Sequence, residues 1–222
     1  MDQVIEYYNK IAASYDDDRF NNSYGKFIDT QERKILDQLL PDRELSILDL
    51  ACGSGRLLGY AKIGNDASTE MLEVAKQKFS DKVFIKAEAD KMPLATNSVD
   101  IVFSFHFFMH LDRSAIESIL KESHRVLNTN GRMIFDIPSG RRRKLKAHTV
   151  DSWHGNYSAH VHEIAEMVQP LFTVNRTFGL LFLPVHRIPK RIRKFCIWLD
   201  YVLANSFLKA YSSYIIIELR KK

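Results

Sequence analysis

The run Leu48-Asp49-Leu50-Ala51-Cys52-Gly53-Ser54-Gly55-Arg56 places two glycines, one residue apart, directly after an apolar stretch. Glycine lets the backbone come close to a ligand. Asp66 follows seventeen residues after Asp49. An acid ending the next strand can accept hydrogen bonds from both hydroxyls of a ribose. The plainer alternatives are a simple strand-to-helix loop and an acid that caps the helix beginning near Ser68. Leu58 stands where a full G-x-G-x-x-G turn would carry its third glycine, and no Tyr-x-x-x-Lys pair occurs. Both facts weigh against a nicotinamide-dependent oxidoreductase.

A second group of reactive side chains lies further on. His106 and His110, in the segment SFHFFMHL, would stand one turn apart on a helix. They are the first candidates for a general base, against the alternative of packed or capping histidines. All eight histidines follow residue 105, and His154, His160 and His162 gather around Trp153 and Tyr157. His160, His162 and Glu163 invite a metal. The i,i+2 spacing turns the two rings apart on a helix, so no metal site is expected. Cys52 and Cys196 are the only cysteines, too few for a disulfide framework or a cysteine-rich zinc site. Cys52 reads as a small packed residue.

The elements that must position these groups follow from periodicity. Residues 2–15 and 24–40 read as helices, the second stopped by Pro41, with an acidic break at Asp16-Asp17-Asp18. Residues 45–51 form an apolar run suited to a strand buried on both faces. Strands are predicted over 60–65, 83–86, 99–105 and 133–137. Helices are predicted over 68–79, capped by Ser68, and from Asp112 or Ser114 to Leu127, closed by a turn at 128–131. Residues 57–63 leave little room for a helix between the first two strands. After Pro138 the pattern gives a basic aperiodic stretch (139–157), a helix (159–168), a strand (171–183), a basic helix (189–203) and a closing strand (211–219). The alternation implies an α/β fold with a mostly parallel sheet.

Charge divides the chain. Residues 1–138 hold 17 Lys+Arg and 22 Asp+Glu, and residues 139–222 hold 15 and 5, so a net −5 half precedes a net +10 half. Such a split signals a partner without naming it. Residues 187–199 interleave Arg187, Lys190, Arg191, Arg193 and Lys194 with Ile188, Ile192, Phe195, Ile197, Trp198 and Leu199. Two readings stand: a helix packed on the sheet with a solvated basic face, and a helix resting on an anionic membrane surface. No apolar run approaches the ~20 residues of a membrane span. Met1-Asp2-Gln3 opens a polar helix, so no leader is expected, and a reducing, cytoplasmic setting is the default, with peripheral contact at the inner membrane surface open.

Several segments together resemble the class I S-adenosylmethionine-dependent methyltransferases. ILDLACGSGR (47–56) is similar to that family's first motif, and GNDASTEML (64–72) to its acidic loop and following helix. KAEADKMPLATNSVDIVFS (86–104) resembles the segment bordering adenine, and RVLNTNGRMIF (125–135) the piece leading into the fifth strand. YYNKIAASYDDDRF (7–20) is similar to the lid of the small-molecule branch, which includes enzymes of quinone biosynthesis. The resemblance covers about residues 5–138.

It implies a Rossmann-like, doubly wound, mostly parallel seven-stranded sheet with an N-terminal helical lid and an antiparallel closing strand. The 222 residues would form one domain: lid helices over 1–40, a cofactor-binding core over 44–138 and a basic acceptor-side part over 139–222. It further implies S-adenosylmethionine as cofactor. Ala51, Gly53, Ser54 and Gly55 would pass under its methionine portion, and Asp49 would face the ammonium. Asp66 would hold the ribose, Ala67 and Met71 would flank adenine, and Glu88 and Ala89 would read its edge. Phe105 and His106 would approach the sulfonium. Tyr15, Arg19 and Tyr24 would close the lid, with Arg19 meeting the cofactor's carboxylate.

The acceptor is expected near Trp153, His154 and Tyr157, as the O or N of a small molecule, sugar or lipid, anionic or lipid-linked groups included. Alignment of the nucleophile supplies most of the rate in such transfers, with histidine as a possible base. The absence of any Pro-Pro pair, expected in the loop of nucleic-acid amino-methylating enzymes, disfavours nucleic acid. A non-catalytic cofactor-binding domain is the other class. Oligomeric state is not legible.

Overall fold

The computed structural model describes residues 2–42, 44–145 and 157–222. Three helices open the chain: α1 (Asp2–Ile11), α2 (Tyr15–Arg19) and α3 (Ser23–Leu39). The predicted acidic break is the short α2, with Asp16, Asp17 and Asp18 in its first turn. Acids there complement the positive end of the helix dipole. Asn22 caps α3, its side chain accepting from the N–H groups of Tyr24 and Gly25. Gly25 is required by contact: a Cβ there would stand 2.3 Å from the Arg19 carbonyl oxygen.

The sheet has seven strands: β1 (Ile47–Leu50), β2 (Ile63–Asp66), β3 (Val83–Lys86), β4 (Val99–Ser104), β5 (Leu127–Pro138), β6 (Phe172–Leu180) and β7 (Tyr214–Lys221). Their order across the sheet is β3-β2-β1-β4-β5-β7-β6. The first five run parallel, and β7 inserts antiparallel between β5 and β6. β1 pairs with both β2 and β4, Leu48 lying opposite Ile63 on one side and Val102 on the other. The chain order therefore reverses at β1/β4, and in such sheets the crevice at that reversal takes the ligand.

Alternation along the strands sends apolar side chains into two cores. Val102, Phe135 and Ile217 meet α5 (Arg113–Val126) and α7 (Val161–Val168) on one face. Phe103, Ile134 and Ile216 meet Phe27, Ile35 and Leu36 of α3 on the other. Helix α4 (Thr69–Lys78) follows β2 under the predicted Ser68 cap, and α6 (Gly140–Lys144) and α8 (Arg193–Ala204) complete the set.

Some boundaries differ from expectation. Between β1 and β2 there is only a 3₁₀ turn at Leu58–Tyr60, as the short crossover required, and it absorbs the predicted start of β2. The turn at 128–131 lies inside β5, with Asn130 at φ +63°. The basic helix starts at Arg193, because residues 190–192 form a turn after Pro189. No helix among the described residues is long and apolar enough to cross a membrane.

Candidate active site

The glycine turn leaves β1 through left-handed backbone at Ala51 (φ +58°), Gly53 (+54°) and Gly55 (+82°). The two glycines serve different ends. A Cβ on Gly55 would press to 3.1 Å from Ala75 of α4, so Gly55 allows close packing. A Cβ on Gly53 would meet nothing nearer than Met71 Sδ at 4.0 Å, so open space lies over it. Asp66 fixes this turn to the next strand. Its carboxylate accepts from the Gly53 N–H at 2.7 Å and the Ser68 N–H at 2.8 Å. Burial pushes its pKa up, against those backbone donors. Asn65 braces β2 from the other side, donating to the carbonyls of Ile85 and Ala87.

The lid lies over the turn. Val4, Ile5, Tyr8 and Tyr15 cover a cavity whose floor includes Ala51, Gly53, Asp66, Ala67, Met71, Ala89 and Phe105. It continues past Tyr15 and Gly53 to a second recess lined by Phe20, Asp49, Ser54 and Arg56. Tethers hold the lid down. Ser54 Oγ donates to Asp16 at 2.6 Å, and Lys78 pairs with the same carboxylate. Ser68 Oγ donates to Asn9 at 2.6 Å, the Tyr8 hydroxyl lies 3.2 Å from His110 Nε2, and the Arg56 guanidinium stacks 4.1 Å over Phe20. The buried Asp49 carboxyl in the second recess has its pKa raised well above the usual range by loss of water.

Behind these recesses sits a buried charge cluster. Glu32 of α3 has its carboxylate 2.7 Å from Arg56 Nη2 and 2.6 Å from His106 Nε2. Asp136 of β5 accepts the His106 backbone N–H at 2.7 Å and lies 3.5 Å from Nδ1 of the ring. Burial pushes the Glu32 pKa up, but the Arg56 and His106 cations outweigh it and hold the carboxyl at about 2. Burial opposes the His106 imidazolium, yet Glu32 and Asp136 prevail and raise its pKa. Asp136 is raised by burial, against the attraction of His106. The His106 backbone is left-handed, at φ +59°. Such strain persists where surroundings over-determine the conformation.

A further cleft opens at the carboxyl edge of the sheet beyond β5. Tyr24, Pro138, Arg142, Arg143, His186 and Tyr214 are among its walls, and none of its described lining residues is acidic. Arg142 is braced, its Nη1 donating to the carbonyls of Phe182 (3.0 Å) and Tyr211 (2.9 Å). Arg143 has its pKa lowered by burial, with Tyr214 acting the other way. The Tyr214 ring of this cleft stands edge-on to His106 of the lidded cavity, centroids 5.6 Å apart, so the two recesses lie back to back across this pair.

The residues singled out in the sequence fall unequally. Asp49, Ala51, Gly53, Ser54, Asp66, Ala67, Met71, Ala89, Phe105, His106, His110 and Tyr15 line the lidded cavity or its second recess. Gly55 packs on α4 instead. Glu88 is exposed and lines neither, and the neighbouring Ala87 lines the cavity. Tyr24 belongs to the arginine cleft. Arg19 is exposed, with its charge bearing on Tyr8, Tyr15 and Tyr24 rather than lining the recess. Tyr157 packs against the core beneath α5, and Trp153 and His154 lie outside the described residues. His160 precedes α7 as its N-cap, so its ring stacks on His162 (5.4 Å) rather than pointing away.

Sequence reasoning passed over Tyr8, Glu32, Arg56 and Asp136. Glu32 carried a signal: it stands on the same helical stripe as Ile28, Ile35, Leu36 and Leu39. Asp136 sits inside the apolar run Met133–Ile137.

Residues 48–135 match the family described as a methyltransferase domain. Among curated proteins, a ubiquinone/menaquinone biosynthesis C-methyltransferase of Campylobacter jejuni is 31% identical over 150 residues, covering 60% of this chain and 63% of that protein. A malonyl-[acyl-carrier protein] O-methyltransferase of a Marinomonas species is 28% identical over 177 residues, covering 72% and 62%. The chain thus spans less than two thirds of the length of these two relatives. Among solved structures, a Thermotoga maritima S-adenosylmethionine-dependent methyltransferase superimposes with a TM-score of 0.72 at 18% identity, over 97% of this chain and 98% of that one. The Synechocystis magnesium protoporphyrin IX methyltransferase, solved with bound S-adenosylhomocysteine, gives 0.64 at 15% identity, over 99% and 98%. Likeness at these identities speaks for the fold.

Proposed function

We propose that this chain, whose residues 48–135 match a methyltransferase domain, is a class I S-adenosylmethionine-dependent enzyme that moves a methyl group to a small-molecule acceptor bearing an anionic group. The observation that carries the reading is that two recesses lie next to each other across His106 and Tyr214. One is the lidded cavity over Gly53 and Asp66, and the other is the arginine cleft.

The lidded cavity suits the cofactor. Gly53 leaves open space where any other residue would place a side chain. Asp66 offers a half-buried carboxylate to the ribose hydroxyls, and Ala67, Met71, Ala87 and Ala89 give an apolar slot for a flat base. Asp49 is a desolvated carboxyl that an ammonium would satisfy. Bound there, S-adenosylmethionine supplies an electrophilic methyl, so the protein's part is chiefly alignment and exclusion of water. Tyr8, Tyr15 and Phe105 exclude water from the cavity.

His106 is assigned to positioning. Its ring is held between the carboxyls of Glu32 (2.6 Å) and Asp136 (3.5 Å), which raise its pKa against the effect of burial. Its place against Tyr214 fixes the wall between cofactor and acceptor. Arg143 supplies positive charge to the acceptor, and Arg142 anchors the loops around it. The relatives named for quinone and malonyl carrier-protein methylation agree with a small acceptor. The accepting atom is carbon in the name of the first of these relatives and oxygen in that of the second.

The test is calorimetric binding of S-adenosylhomocysteine, followed by turnover with acceptors paired as carboxylate and ester. Wild type should bind and Asp66→Ala should not, and the carboxylates should react faster. Equal binding by Asp66→Ala would remove the cofactor site. Binding without turnover on any acceptor would favour a non-catalytic domain.

A further inference from the structure

Helix α8 is apolar on two sides. Its inner side is mounted on the body of the protein. Asp200 is fully buried, accepting from Gln31 Nε2 at 2.6 Å and from the Leu183 N–H at 2.5 Å. Lys34 stacks 3.8 Å over Tyr201, and Arg193 Nη1 donates to Ser23 Oγ at 2.9 Å. These contacts fix the helix on α3 and leave its other side outward. Phe195, Trp198, Leu199 and Val202 repeat at i, i+3, i+4 and i+7 along that outer side, the spacing of a buried stripe. Yet Phe195 is 71% exposed and Trp198 68%, and Phe207, just beyond the helix, is 92% exposed. Large apolar side chains gathered in one exposed patch mark an interaction surface.

The surrounding charge says which kind. Lys190, Arg191 and Lys194 are exposed beside the patch. From Pro184 to Tyr211 the chain has six basic residues, and its one acid, Asp200, is the buried residue that mounts the helix. A symmetric dimer through this face would bring like charges together, since a two-fold interface meets its own surface. An anionic bilayer fits both features. Trp and Phe enter the boundary between headgroups and acyl chains, and lysines and arginines meet the lipid phosphates. We propose that the outer face of α8, with Phe207, docks this protein on an anionic lipid surface. The segment Pro184–His186, a wall of the arginine cleft, leads directly into this helix, so docking would set the cleft beside the membrane.

The inference concerns binding and stands whether or not the methyl-transfer reading holds. Its test is co-sedimentation with phosphatidylcholine vesicles, with and without phosphatidylglycerol. Trp153 and Trp198 are the only tryptophans, so a Trp153→Phe background isolates the indole on α8. Binding should require the anionic lipid and shift Trp198 emission to the blue. Lys190→Gln/Arg191→Gln/Lys194→Gln should weaken binding about 100-fold. Phe195→Ser/Phe207→Ser should also reduce it sharply. These are surface changes, and unaltered melting and S-adenosylhomocysteine affinity would show that the variants are folded. The proposal is overturned by equal binding to neutral vesicles, by no vesicle binding, or by an unmoved Trp198 emission. It is also overturned if light scattering shows a dimer that Phe195→Ser/Phe207→Ser dissociates.

Discussion

Replacing Glu32 by Gln tests whether the buried charge cluster holds the site together. The amide keeps the shape of the side chain, removes the charge and turns one of the two oxygens facing Arg56 and His106 into a donor. A carboxyl held at about 2 instead of 4.5 contributes about 3 kcal/mol at neutral pH, at about 1.4 kcal/mol for each tenfold change in proton affinity. That agrees with the ~3–5 kcal/mol typical of breaking a buried pair. For a chain of this size it lowers the melting temperature by roughly 6–12 °C. The sign of the pH dependence follows from both partners. The Glu32 carboxyl is depressed, so its contribution is present above 4.5 and lost only as pH falls towards about 2. The His106 pKa is raised, so its contribution is full below 6.5 and lost as pH rises through its folded value. The gap between wild type and Glu32→Gln should therefore be widest between 4.5 and 6.5 and narrow in alkali, leaving the Arg56 part. Thermal melts of both proteins at pH 6 and pH 9, with far-ultraviolet dichroism as a check on folding, make the measurement. A gap under about 1 kcal/mol at pH 6, or one unchanged at pH 9, would refute the reasoning.

Two further outcomes follow from contacts elsewhere. Gly25→Ala places a methyl 2.3 Å from the Arg19 carbonyl oxygen and must displace the end of α2 from α3. Because that junction carries the lid, S-adenosylhomocysteine affinity should fall at least tenfold without any change in a residue lining the cavity, as read by calorimetry. Arg143→Gln removes a cation from the arginine cleft. The kcat/KM for a carboxylate acceptor should drop about 10–150-fold, the worth of one charge-assisted hydrogen bond, while cofactor affinity holds. Steady-state kinetics on the paired acceptors reads the difference.

The strand-turn-acid unit was legible because its chemistry and its backbone requirements coincide. Gly53 and Gly55 are forced by left-handed conformation, and Asp66 ends a strand whose partner is set by apolar pairing. Ser68 and Asp112 announced their helices, each accepting a backbone N–H as a cap does. The charge cluster was not legible in the same way. Glu32, Arg56, His106 and Asp136 come from four separate segments, and only the closed fold brings them within ion-pair distance. A charged residue on an apolar stripe was the one local hint, and it does not say what the charge faces. The arginine cleft shares this character: Tyr24, Arg143, His186 and Tyr214 span most of the chain and meet only because β7 inserts beside β5. Glu88, picked by its position in a motif, is exposed, while its neighbours Ala87 and Ala89 line the cavity.

The tethers on the lid have a kinetic consequence. For anything to leave the cavity over Gly53, the bonds of Ser54 to Asp16, Ser68 to Asn9 and Tyr8 to His110 must part together. At about 1 kcal/mol each, these three alone favour the closed lid roughly a hundredfold, before the Lys78–Asp16 pair and the Arg56–Phe20 contact are added, so opening is a rare window. Spent cofactor and fresh cofactor pass only in that window. Residence time is thus written into the first helices of the chain, and under the proposed methyl transfer these helices, set apart from the arginine cleft, would gate each exchange of cofactor.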